Sequence, residues 1–101
     1  MSGAVWLPDD AILPIKPAAY WANCSPDILV IWSRKYGLGR QVEKGAPWRI
    51  LAAAAMMRSE GNGPALTAFL AGDRKSDLVK PYIARAKEAE EDNRRRQGRA
   101  A

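Results

Sequence analysis

A mainly α fold carrying one small β-hairpin is predicted by three features of this 101-residue chain. Two short helical patterns meet across a tight turn between Ala22 and Pro26. Two short strand-like runs follow around Glu43-Lys44-Gly45-Ala46, and Ala-, Met- and Leu-rich helical stretches come after them. The length fits a single domain. With 48% hydrophobic residues and four Trp, the chain can build a core, though a small one.

Residues 1–14 read as an extended lead-in, because Pro8 and Pro14 interrupt any helix there. Trp6, Ile12 and Leu13 are expected to fold back onto the core. From Ile15 the pattern turns helical: Pro17 suits a first turn, and Ala18, Ala19, Trp21 and Ala22 supply small or apolar positions. Asn23 ends this helix, since Asn tolerates the left-handed backbone that a sharp turn needs. Ser25 then serves as an N-cap, with Pro26 at the first helical position and Asp27 near the positive end of the helix dipole. The second helix runs to about Tyr36 and stops at Gly37. Helix, short turn and capped helix in this spacing make a helix-turn-helix arrangement.

Gly39 to Val42 and Pro47 to Ile50 read as the two strands of a hairpin, a wing on that unit; a plain loop is the alternative. Leu51 to Arg58 is expected to be a buried helix, and Pro64 to about Ala71 another, closed by Gly72. Ser76 is the expected cap of a last helix bearing Leu78, Val79, Tyr82, Ile83 and Ala86, which Pro81 either kinks or begins. Beyond Ala86 the apolar stripe stops, and the charged run from Glu88 is expected to fray into disorder. The expected organisation is a lead-in at 1–14, a winged helix-turn-helix at 15–50, supporting helices at 51–87 and a charged tail at 88–101.

The chain has no His and one Cys. Histidine-based triads and Cys/His zinc sites are thereby excluded, and no paired acids stand in an apolar setting. The expectation is a protein that is not an enzyme, with no catalytic residue, metal or cofactor. One Cys allows no internal disulfide, which fits a reducing, cytoplasmic setting. No run reaches the roughly 18–20 apolar residues of a membrane span, and the first residues lack the layout of a secretory leader.

Charge is unevenly placed within the net +5. Lys16, Arg34, Lys35, Arg40, Lys44 and Arg49 against Asp27 and Glu43 leave residues 16–50 at +4. Basic surface of this kind favours phosphate.

Several residues together carry a family resemblance. Ala18-Ala19 stands on the first helix, Ser25-Pro26 at the cap, Trp32 seven residues after the cap serine, Gly37 at the helix end, and Trp48-Arg49-Ile50 on the returning strand. The ensemble resembles the winged helix-turn-helix of MerR-type regulators, phage excisionases and phage terminase small subunits. The resemblance covers about a third of the chain. It implies a small phage- or mobile-element-type protein that binds double-stranded DNA as a regulator, an excisionase or a packaging recognition subunit.

On this reading Leu29, Trp32 and Tyr36 pack inward against Ala18, Ala19 and Trp48, and Cys24 is a buried structural thiol. Ser25, Asp27, Ile28, Val30, Ile31, Arg34 and Lys35 then face a major groove. Arg40 opens the wing, Lys44 sits at its tip and Arg49 lies on the return, all placed for phosphate. Lys16 and the first helix's amides are further backbone contacts. Val30 and Ile31 depart from the basic or polar residues common there, so Ile28, Val30 and Ile31 meet either thymine methyls or a protein partner. A protein-interaction module on the same scaffold, using that face or Leu78, Tyr82 and Ile83, is the alternative function. A homodimer would cover the apolar surface that so small a chain leaves open. The cluster Arg94, Arg95, Arg96 and Arg99 either adds phosphate affinity or pairs with Glu88, Glu90, Glu91 and Asp92.

Overall fold

The computed structural model describes residues 4–100 and is mainly helical, with a small three-stranded antiparallel sheet. The order is β1 (Ile12–Leu13), α1 (Ile15–Ala22), α2 (Pro26–Tyr36), β2 (Gly39–Gln41), β3 (Trp48–Leu51), α3 (Ala52–Ser59), α4 (Gly63–Leu70) and α5 (Lys80–Ala100). The sheet has one strand more than the two-stranded hairpin expected from sequence. β1 pairs with β3 through Ile12 opposite Leu51 and Leu13 opposite Ile50, giving the order β1-β3-β2. The pairing buries Leu13, Ile50 and Leu51 completely. β2 ends at Gln41 and β3 starts at Trp48, one residue inside the expected limits, and Pro47 has no N–H to give a ladder.

Turn chemistry accounts for the two-helix unit. Asn23 takes a left-handed conformation (φ 57°) and its N–H returns to the first helix. Ser25 Oγ accepts the Ile28 N–H at 3.3 Å, and Pro26 and Asp27 fill the first turn of α2. Gly37, at φ 76°, closes α2 by donating to Ser33 O.

Helix α3 is the hub. Every residue from Ala52 to Met57 is buried, and α3 contacts α1, α4, α5 and β3. Its alanines let those neighbours approach closely without losing side-chain entropy, while Met56 and Met57 fill the irregular space that remains. Asn62 caps α4 by accepting the Ala65 N–H at 3.1 Å. Its amide also donates to Tyr82 Oη, which donates to Glu60, tying α5 to the turn between α3 and α4.

The C-terminal third departs from expectation. Ser76 does not cap a helix with its side chain; its hydroxyl is buried without a partner, while its carbonyl accepts the Val79 and Lys80 N–H groups. The helix begins at Lys80, with Pro81 in the first turn where its missing N–H costs nothing. The run from Glu88, expected to fray, continues as helix to Ala100. Ala89 is fully buried, and Glu90 accepts the Ile12 N–H at 2.9 Å. Arg94 pairs with Glu90, and Arg95 and Arg96 with Asp92, so among the described residues these arginines take the acid-pairing alternative. Arg99 lies among residues whose side chains are not described. Among the described residues no helix is long and apolar enough to cross a membrane.

The lead-in is fastened by one arginine. Arg74 Nε and Nη2 reach the two Asp10 carboxylate oxygens at 2.7 and 2.8 Å, Nη2 also donates to Val5 O, and Nη1 donates to the Phe69 and Asp73 carbonyls. All five N–H groups of the guanidinium are therefore engaged, and it lies 3.6 Å from the Phe69 ring centre. Burial alone would raise the Asp10 carboxyl, but Arg74 and the Leu7 N–H together hold it below its ordinary value of 3.8. A carboxyl that titrates lower in the folded state stabilises above the unfolded value, and the contribution is lost as pH falls through the folded one. Arg74→Ala is expected to cost about 3 kcal/mol in chemical denaturation, because it strands a largely buried carboxylate. Asp10→Asn should lower stability at neutral pH and flatten the loss of melting temperature on acidification below about pH 4. Equal acid profiles for Asp10→Asn and the unmodified chain would contradict the latch.

Candidate functional site

Helix α2 lies at the edge of the molecule, packed on α1 and β2. Only Leu29 and Ser33 are fully buried along it, with the Ser33 hydroxyl donating to Leu29 O at 2.7 Å. The outer stripe consists of Asp27, Ile28, Ile31, Arg34 and Lys35, all exposed. Ile31 is 58% exposed and Ile28 37%. Val30, expected on that stripe, is half-buried on its flank. Ser25 is exposed at the N-terminus of α2, but its side-chain oxygen is committed to the cap.

Leu29 packs inward as expected, whereas Trp32 and Tyr36 remain half-buried. Both lie beneath Arg58 of α3, whose guanidinium carbon is 5.1 Å from the Trp32 ring centre and 5.3 Å from that of Tyr36. Arg34 approaches Trp48 at 5.9 Å on the other flank of α2. In helical phase Trp32 and Val30 stand on opposite sides of the outer stripe, so cations border α2 on both flanks. Sequence reasoning left Arg58 within a buried helix; a cation in the last turn of an otherwise Ala- and Met-rich helix was the available signal.

The hairpin stands against α2 because of Gly39. A Cβ there would run into Ser33 Oγ and lie 2.6 Å from Ile50 Cδ1, so only glycine lets β2 approach so closely. From this root Arg40 sits directly opposite Arg49, and Gln41 opposite Trp48. Strand alternation puts Gly39, Gln41, Trp48 and Ile50 on one face and Arg40 with Arg49 on the other. The bend is closed by Ala46 N–H to Glu43 O at 3.0 Å and by Gln41 Nε2 to Ala46 O at 2.8 Å, with Gly45 at φ 88°. Lys44 is exposed at the tip, beside Val42 at 86% exposure.

The basic residues thus do not share one plane. Arg34 addresses the Trp48 side of the hairpin, Arg40 and Arg49 project from its far side, Lys44 crowns the bend, and Lys35 leans 5.4 Å from the Tyr36 ring centre. Trp6, Arg40, Val42 and Arg49 line a shallow cleft of about 440 Å³. Like charges placed directly opposite on a ladder repel. Among the described residues no carboxylate forms an ion pair with Arg34, Lys35, Arg40, Lys44, Arg49 or Arg58. The arginines that do have acid partners lie elsewhere, at 74, 85 and 94–96. The apolar face proposed at Leu78, Tyr82 and Ile83 is not assembled: Tyr82 is buried and Leu78 precedes α5. Lys16 is exposed on the first turn of α1. Cys24 is half-buried, and burial pushes its thiol above the ordinary value.

No protein-family model, curated protein or solved structure matches the chain. Replacing Gly39 with Ala should cost about 2 kcal/mol by urea denaturation, because Ser33 and Ile50 must both move. A Gly39→Ala chain as stable as the unmodified one would show that β2 is not held against α2 in this way.

Proposed function

We propose that this chain is a small winged helix-turn-helix DNA-binding protein. One observation carries the reading: an exposed capped helix adjoins a hairpin, and the cations of both have no carboxylate partner among the described residues. On this reading α2 enters a major groove while the hairpin approaches the adjacent backbone or minor groove. A ribbon with cations on both faces suits a site where phosphates stand on either side. Arg34, Lys35, Arg40, Lys44 and Arg49 are the phosphate contacts, with Arg58 a sixth on the flank away from the hairpin.

Ile28 and Ile31 offer apolar contact to thymine methyls but no hydrogen bond to a base edge. Affinity should therefore be dominated by phosphate and vary little with sequence. A regulator, an excisionase and a packaging recognition subunit all fit such a module. The exposure of Ile31 favours one second reading, a protein-interaction module in which this stripe meets another protein or a second copy of the chain.

Titrating a labelled random-sequence duplex at several salt concentrations, with the mass of the free protein measured alongside, separates these readings. The DNA reading expects log K to fall with log salt at a slope of about 5 to 5.5 for these six contacts, given about 0.9 per neutralised phosphate. Arg40→Ala and Arg49→Ala should each lower that slope by about 1 and weaken all sequences alike. An interaction module would be indifferent to both changes and would lose its partner, or its dimeric mass, on Ile31→Glu.

A further inference from the structure

We propose that Trp6 is the positioning residue for Arg40, holding its guanidinium flat and open toward a phosphodiester. The inference rests on the nucleic-acid reading and extends the site to a segment outside the two helices and hairpin. The lead-in from residue 4 to residue 10 is anchored to α4 and the loop that follows it. Val5 N–H donates to Leu70 O at 2.9 Å, and Arg74 grips both Val5 O and the Asp10 carboxylate. Between those anchors Trp6 turns the other way. Its indole Nε1 donates to Gly37 O at 3.3 Å, where α2 ends, and its ring lies 4.2 Å from the guanidinium carbon of Arg40.

One side chain therefore bridges the end of the exposed helix and the first strand of the hairpin. Arg40 faces Arg49 directly across the ladder with no carboxylate to hold it, so repulsion would otherwise swing it aside. Stacking on an indole fixes a guanidinium while leaving its in-plane N–H groups unused. Arg74 shows the opposite condition, with all five donors engaged inside the protein. A cation held in place but unpaired binds a phosphate without first losing its rotamer freedom.

The test compares duplex affinity for Trp6→Leu, Trp6→Phe, Arg40→Gln and the Trp6→Leu/Arg40→Gln double variant, with melting temperatures measured in parallel. Trp6→Leu should lose about fivefold in affinity, and Trp6→Phe, which keeps an aromatic face, should recover most of it. In the Arg40→Gln background the Trp6→Leu change should have no further effect, an outcome that a purely structural role for Trp6 would not produce. In the free, unmodified protein the Arg40 side-chain proton resonances should lie upfield under the indole ring current. Folded Trp6→Leu protein that binds like the unmodified chain, or losses that simply add in the double variant, overturns the inference alone. Should Trp6→Leu fail to fold, Arg40 resonances at ordinary positions overturn it. An unmodified chain that binds no duplex overturns the nucleic-acid reading and this inference with it.

Discussion

Helix α3 has no face left for solvent from Ala52 to Met57, and the placement of the other elements follows from that burial. Methyl-sized side chains allow α1, α4, α5 and β3 to close around it. A larger residue at these positions would have to displace whole helices, because packed interiors yield little to added volume. With α3 enclosed, α2 packs on α1 and β2 instead and keeps its outer stripe free. The same chain continuity that makes β3 run into α3 pins the hairpin root beside the end of α2. Exposure of the candidate interface is thus a consequence of how the core closes.

The arginines divide into two physical kinds. Arg74 is a structural clamp: nearly enclosed, bidentate to Asp10 and stacked on Phe69, it joins the lead-in to the loop after α4. Arg85 and Arg94 to Arg96 pair with acids at the surface, where such pairs contribute about 1 kcal/mol or less each. Three arginines around α2 and the hairpin lie against aromatic rings in place of acids: Arg34 against Trp48, Arg40 against Trp6, and Arg58 against Trp32 and Tyr36. A ring orients a cation without neutralising it, which maintains a positive local field available to an external anion.

Local chemistry was the legible part of the amino-acid sequence. The Asn23 turn, the Ser25 cap and the Gly37 stop each depend on one residue and its immediate neighbours, and each stands where expected. Non-local features were not legible. β1 is two residues long and exists because β3, nearly forty positions later, offers it a ladder. Continuation of α5 past Ala86 depends on Ala89 reaching the core and on Glu90 meeting the Ile12 N–H, contacts that a charged run conceals. Trp6 and Arg58 were missed at the site for the same reason, since their partners lie on other elements. Val30 was misplaced outward because periodicity alone does not separate the flank of a helix from its outer stripe.

The account stands on α2 and the hairpin acting as one surface toward a polyanion. Amide chemical-shift mapping of the full chain during titration with a short duplex tests this most directly. Perturbations gathered between Ser25 and Lys35 and between Arg40 and Arg49, with α4 and the buried turns of α3 unchanged, are the predicted result. Shifts confined to α5, or spread without focus over both sides of the molecule, would contradict it.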